Sequence, residues 1–127
     1  MTQPMYSVSV EACFSARHSV RLPDGNRESS HDHDWVVRAV FAARELGDGD
    51  MVVDFGEAEE ALRVVLSRLH DTDLNALDVL SGKDPTAEVL SRYVFDQVSS
   101  LGGVLSAIRR VEVVETLGCV ASYGLLG

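Results

Sequence analysis

The chain has 127 residues, a formal net charge of −9 and an apolar fraction of 46%. This length makes one domain, residues 1–127, with room for a real core, and the apolar fraction is that of a globular chain. The acidic balance, with basic residues scattered and only Arg109-Arg110 adjacent, argues against a nucleic-acid partner, which needs clustered Lys and Arg; no apolar run approaches the ~18–20 residues of a membrane span.

The opening Met1-Thr2-Gln3-Pro4 has no basic region followed by an apolar core, so no secretory signal is expected. From Tyr6 to His18 the residues alternate. Tyr6, Val8, Val10, Ala12, Phe14 and Ala16 share one face, which predicts a half-buried strand with His18 ending its apolar side. Ser19 to Ser30 reads as a loop, with turn chemistry at Pro23-Asp24-Gly25-Asn26. A second strand follows from His31 to Arg44, with His31, His33, Trp35, Val37, Ala39, Phe41 and Ala43 on one face. An antiparallel pair would bring His18 beside His31 and His33. After a turn at Gly47-Asp48-Gly49-Asp50, Asp54 and Glu57 make an N-cap and capping box. They open a helix to about Leu69, with Phe55, Ala58, Leu62, Val65, Leu66 and Leu69 as its stripe. A polar loop runs from His70 to Asp84. Asp84-Pro85-Thr86 starts a second helix with Pro in the first turn, Leu90, Val94, Val98 and Leu101 face inward, and Gly102-Gly103 stops it. Strands Ile108–Thr116 and Val120–Leu125 close the chain across a turn at Leu117-Gly118-Cys119. The order is ββααββ, an α+β layer of two helices on an antiparallel sheet.

The chemistry concentrates in Glu28-Ser29-Ser30-His31-Asp32-His33. Residues i and i+2 of a strand point to the same side, so His31 and His33 can reach one ion, and His18 supplies a third imidazole. A three-histidine site suits zinc and keeps a fourth position open for water or substrate. Asp32 and Asp34 fall on the opposite, solvated face. Glu115 shares the apolar side of its strand with Val111 and Val113, where a carboxylate needs a partner or water. Two readings stand for it: a hydrated acid at the strand end, or an acceptor of two parallel N–H bonds from an amidine-like ligand edge such as that of a pterin or guanine. Cys13 and Cys119 lie far apart and form no redox or metal motif, as expected of reduced thiols in a cytoplasmic protein.

His18, the His31-x-His33 pair, Met51-Val52-Val53-Asp54-Phe55, Leu74-Asn75, Pro85-Thr86-Ala87-Glu88 and Val114-Glu115-Thr116 stand in an order and spacing that resembles the 6-pyruvoyltetrahydropterin synthase and 6-carboxytetrahydropterin synthase family over nearly the whole chain. The resemblance implies the tunnelling fold, in which three ββααββ subunits join their sheets into a barrel and two trimers stack as a hexamer. It implies Zn2+ on His18, His31 and His33, and a pterin pocket at a subunit interface with Glu115 as anchor and Thr86 and Glu88 near it. It also marks departures. The family's catalytic Cys precedes the His-x-His pair, and four residues before His31 stands Arg27. The middle residue, usually Gly, is Asp32. The assisting Asp-His pair is exchanged to His70-Asp71. Glu28, three residues before His31, resembles a subgroup with Glu-x-x-His-x-His that cleaves the side chain of 7,8-dihydroneopterin triphosphate to 6-hydroxymethyl-7,8-dihydropterin. Two readings of Glu28 remain: an acid/base, or a solvated loop acid. The functions that follow are a zinc-dependent pterin lyase or synthase with Glu28, His70 and Asp71 as catalytic candidates, and a pterin- or purine-binding relative that has lost the relay.

Overall fold

Alternation along the first two strands decides the architecture. Strands β1 (Tyr6–His18) and β2 (His31–Ala43) are each 13 residues long and pair antiparallel along their whole length, from Tyr6 opposite Ala43 to His18 opposite His31. The structure, a computed structural model, describes residues 3–80 and 82–125. Met1 and Thr2, part of the opening read for a signal, lie outside the described residues. Strands β3 (Ile108–Thr116) and β4 (Cys119–Gly124) extend the sheet in the order β1-β2-β3-β4, antiparallel throughout.

Helices α1 (Phe55–Ser67) and α2 (Ala87–Ser100) cover one face of this sheet. Phe14, Trp35, Val37, Phe41, Val111 and Val113 from the strands pack with Leu62, Val65, Leu90 and Val94 from the helices in one core. The opposite face is polar. There Arg38 lies 2.7 Å from Glu11 and 3.9 Å from Glu112, and Arg110 bonds Glu112 at 2.9 Å.

Several boundaries differ from the sequence reading, each for a local reason. Strand β2 ends at Ala43, one residue early. Helix α1 ends at Ser67 with Arg68 as C-cap, while Leu69 stays buried in the turn beyond. Asp54 caps α1 by accepting from the Glu57 N–H, but Phe55, counted in the inner stripe, is 60% exposed at the first helical position. Pro85 stands before the helix and not in its first turn. Thr86 is the N-cap of α2, its hydroxyl accepting from Val89 N–H at 3.1 Å, which suits a Thr followed by orphan amides. The loop from His70 to Asp84 contains two 3-10 turns, Leu74–Ala76 and Asp78–Leu80, which bury Leu74 and Leu80. A further 3-10 turn, Gly103–Ala107, follows α2. Strand β4 starts at Cys119, and Leu125 only donates its N–H to the Arg109 carbonyl.

Gly124 sits at φ 141°, and a Cβ there would collide with the Arg109 carbonyl. Only glycine tolerates both the dihedral and the approach. Gly124→Ala is therefore expected to lower stability by more than about 1 kcal/mol, read as a lower midpoint in urea with an unchanged slope.

Candidate metal centre and ligand cavity

Sheet pairing assembles the histidines. His18 and His31 are direct cross-strand partners, and His33 stands opposite Ala16 on the same face. Ring centroids lie 4.8 Å apart for His18 and His31, 5.1 Å for His18 and His33 and 4.5 Å for His31 and His33. Trp35 closes the inner side, its ring edge-on at 4.9 Å from His18 and 5.2 Å from His33. Trp35 is itself fixed by Phe14 stacked at 5.9 Å and by Nε1 donating to the Ala16 carbonyl.

Hydrogen bonds set two of the tautomers. His18 Nδ1 lies 2.8 Å from the Pro85 carbonyl and His31 Nδ1 lies 2.9 Å from the Ser29 carbonyl. A carbonyl only accepts, so each Nδ1 carries a proton, and in the neutral ring each Nε2 then presents a lone pair. His18 is 1% exposed, and the Nε2 atoms of His18 and His33 are buried with no hydrogen-bond partner. Glu115 Oε1 is 3.3 Å from His18 Nε2 without bonding alignment, so with the imidazole neutral two acceptors face each other. Unpartnered buried acceptors cost about 1–3 kcal/mol each, and a shared cation relieves all of these conflicts. The ligand atoms of His18, His31 and His33 lie within 4.8 Å of one another. Three neutral imidazoles, two of them oriented by carbonyls behind, are the donor set and the outer support that zinc uses.

Burial, the largest cause, pushes the His33 imidazole below its usual 6.5; His31 and His18 act in the same direction, and Glu115 and Glu28 oppose them. The unfolded chain then binds a proton at His33 at a pH where the folded chain does not, so this stability is complete above about pH 6.5 and is lost as pH falls through that range. Metal-free protein is expected to melt at progressively lower temperature below pH 6.5, and His33→Gln is expected to flatten that part of the profile.

Glu28 flanks the cluster. Its Oε1 is 3.8 Å from His31 Nε2 and accepts from Val20 N–H at 3.1 Å. Glu115 connects the cluster to a cavity of about 460 Å³ whose walls include Val20, Thr86, Glu88, Glu115 and Cys119. The structure thus brings Thr86, Glu88 and Glu115 to one cavity beside the histidines. The register of β3 against β4 shifts between Val114 and Thr116; this irregularity falls at Glu115, and bulges re-aim side chains beside sites. A larger groove, about 780 Å³, lies outside α2 between Val79 and Tyr123. The histidines do not line it, and it shares Glu88 with the smaller cavity.

His70 and Asp71 stand elsewhere in the same chain, at the outer edge of β1. His70 Nδ1 accepts from Ser15 N–H at 3.1 Å, and its Nε2 is 3.3 Å from Asp71 Oδ2. Asp71 N–H donates to the Ser15 carbonyl and Arg17 N–H to the Thr72 carbonyl, so this segment straps the strand edge. Arg27, where the resemblance places a Cys, bonds Asp84 and the Ser19 carbonyl at 3.0 Å each. Sequence reasoning passed over Cys119 as a cavity residue. Its place immediately after the turn that follows Glu115 was the available signal.

The sequence model of 6-pyruvoyl tetrahydropterin synthase matches residues 7–125. The chain belongs to this family. Among solved structures, 6-pyruvoyl tetrahydropterin synthase from Caenorhabditis elegans is 18% identical, with a TM-score of 0.81 and 99% of each chain covered. The enzyme from Plasmodium falciparum is also 18% identical, with a TM-score of 0.76 over 95% of this chain and 98% of that one. A variant of the Plasmodium vivax synthase, described as a catalytic-residue mutant with a glutamate replaced by alanine, matches at 16% identity and a TM-score of 0.74, covering 95% of this chain and 98% of that one. These likenesses show the tunnelling fold expected from the sequence. Among the described residues, no helix is long and apolar enough to cross a membrane.

Proposed function

We propose that the chain is a zinc-dependent pterin lyase or synthase acting on 7,8-dihydroneopterin triphosphate or a related pterin. The observation that carries this reading is the convergence of three imidazoles on one another, two with bare and buried Nε2 atoms, with His18 3.3 Å from the carboxylate that also walls the ligand cavity. Zn2+ on His18, His31 and His33 would supply Lewis-acid polarisation of substrate oxygens.

The chain's own residues would do the rest. Glu115 accepts the paired N–H groups of the pterin edge, a bidentate charge-assisted contact, while Thr86 and Glu88 border the ring. Glu28 moves a proton as the side-chain bond breaks. Val20 N–H holds one of its oxygens, which leaves the other free for proton transfer. A catalytic glutamate in the Plasmodium vivax relative supports this role for a carboxylate. Hydrogen bonds to charged groups contribute about 1.5–3 kcal/mol, so Glu115→Gln is expected to weaken pterin binding about 10–100-fold, measured by ligand fluorescence titration.

Assembly offers a role for His70 and Asp71. Strands β1 and β4 are both sheet edges, and the His70–Asp73 strap leaves the β1 edge open only on the Ser7–Cys13 side. A second copy adding that edge antiparallel to β4 would carry its strap to the Cys119 end of the first copy, beside the cavity. A trimer or a hexamer built this way would complete each site with an acid–base pair from a neighbour.

The test is product analysis of zinc-loaded protein with 7,8-dihydroneopterin triphosphate. 6-Hydroxymethyl-7,8-dihydropterin is the expected product. A pyruvoyl or carboxy product would shift the reaction assignment to the His70-Asp71 pair, and bound but unchanged substrate would leave a pterin-binding relative.

A further inference from the structure

The polar groups around Ser19 form a clasp that the reaction scheme does not use. Ser19 follows His18, directly past the last β1–β2 pair, so its backbone has no strand partner there. It is 7% exposed, and buried backbone groups need partners. The Asn75 carboxamide provides both: Oδ1 accepts from Ser19 N–H at 2.8 Å, and Nδ2 donates to the Ser19 carbonyl at 2.9 Å. Arg27 Nη1 donates to the same carbonyl at 3.0 Å, and its Nη2 to Asp84 Oδ1 at 3.0 Å. Asp84 Oδ2 accepts from Arg21 N–H at 2.7 Å, and the next residue, Pro85, supplies the carbonyl that orients His18. Ser19 Oγ donates to the Glu28 carbonyl at 2.9 Å, next to the Val20 N–H that holds the Glu28 carboxylate. Two connections, the one between β1 and β2 and the one between α1 and α2, therefore meet around one buried serine.

We propose that Asn75, together with Arg27, is a positioning residue for the metal centre and for Glu28: by pairing with the Ser19 main chain it fixes the course of the chain as it leaves β1 at His18 and, through Ser19 and Val20, the place of Glu28 in the loop. Asn75 bonds Ser19 and not the metal ligands, and it does not line the cavity, so its effect passes through Ser19. The residue type follows from the geometry, because one short side chain must both accept and donate in one plane. Aspartate keeps the size and the acceptor, but sets an oxygen against the Ser19 carbonyl.

This inference rests on the metal reading, and cobalt binding separates the two. Co2+ is titrated into wild type, Asn75→Asp, Asn75→Ala and Arg27→Met, with zinc affinity measured by chelator competition and folding by circular dichroism. Support for an oriented imidazole is typically worth 10–100-fold in metal affinity. The expected result is folded variants with zinc affinity about 10–100-fold weaker and a weakened or shifted cobalt absorption band. Folded variants with the wild-type band and affinity overturn the inference and leave the metal reading standing. If the Asn75 variants do not fold, Arg27→Met decides, since Arg27 is 44% exposed and lies outside the core; an unchanged band there overturns the proposal. A wild-type protein that binds neither metal overturns both.

Discussion

His31→Ala is expected to empty the metal centre while leaving the fold in place. Its side chain is 37% exposed, so the substitution opens no core cavity. The Nδ1 bond to the Ser29 carbonyl is local and its loss costs little. The metal term is far larger. Zinc in structural sites is held with about 10–16 kcal/mol at neutral pH. Removing one of three protein donors forfeits on the order of a third of such a figure, which predicts a loss of about 10²–10⁴ in affinity. Elemental analysis after dialysis against a weak chelator should give near one zinc per wild-type chain and none in the variant. Wild-type protein without zinc would remove the basis for the lyase reading.

Glu28→Gln should separate chemistry from binding. The amide keeps the shape of the carboxylate, and its oxygen still accepts from Val20 N–H, so the loop from Ser19 to Ser30 keeps its course. What disappears is the carboxylate that takes up and returns the proton in the proposed step. General acid–base contributions are about 10²–10⁴-fold, and turnover should fall by that factor with pterin affinity unchanged, because Glu28 is outside the cavity wall that carries Glu115. Single-turnover kinetics beside fluorescence titration would show the split. Full turnover by Glu28→Gln would transfer the proton role to another group, with His70 of a neighbouring copy next in line.

Much of the fold was readable because short-range patterns and the global arrangement agree. Alternation from Tyr6 to His18 and from His31 to Ala43 set the two long strands, and pairing their ends put His18 against His31, as the register shows. Of the stripe Phe55, Ala58, Leu62, Val65, Leu66 and Leu69 that gave α1, the four middle residues are buried in the helix together with Ala61, while Phe55 is exposed. The parts that were not readable depend on contacts between loops distant in sequence. Asn75 meets Ser19 across 56 positions, and nothing near Leu74-Asn75 distinguishes a clasp from an ordinary capped turn. The exchange of His70 and Asp71 could not be interpreted without knowing that Ser15 holds the imidazole. Asp71 follows at φ 57°, a left-handed conformation that Asp accepts better than most residues. The irregularity beside Glu115 is likewise invisible in an alternating strand, since an added residue shows only against its partner strand.

The placement of Trp35 gives the protein an optical readout of its own centre. It is the single tryptophan in the chain, fully buried, and its ring edges meet both His18 and His33. Excited indole is quenched by a protonated imidazole and by a paramagnetic ion at short range. Emission at long excitation wavelengths, where the three tyrosines are dark, therefore comes from an indole in contact with two of these rings. Binding of a paramagnetic ion such as Co2+ at the proposed site is then expected to quench this emission, an event that can be followed in the unmodified chain, in real time, without a label.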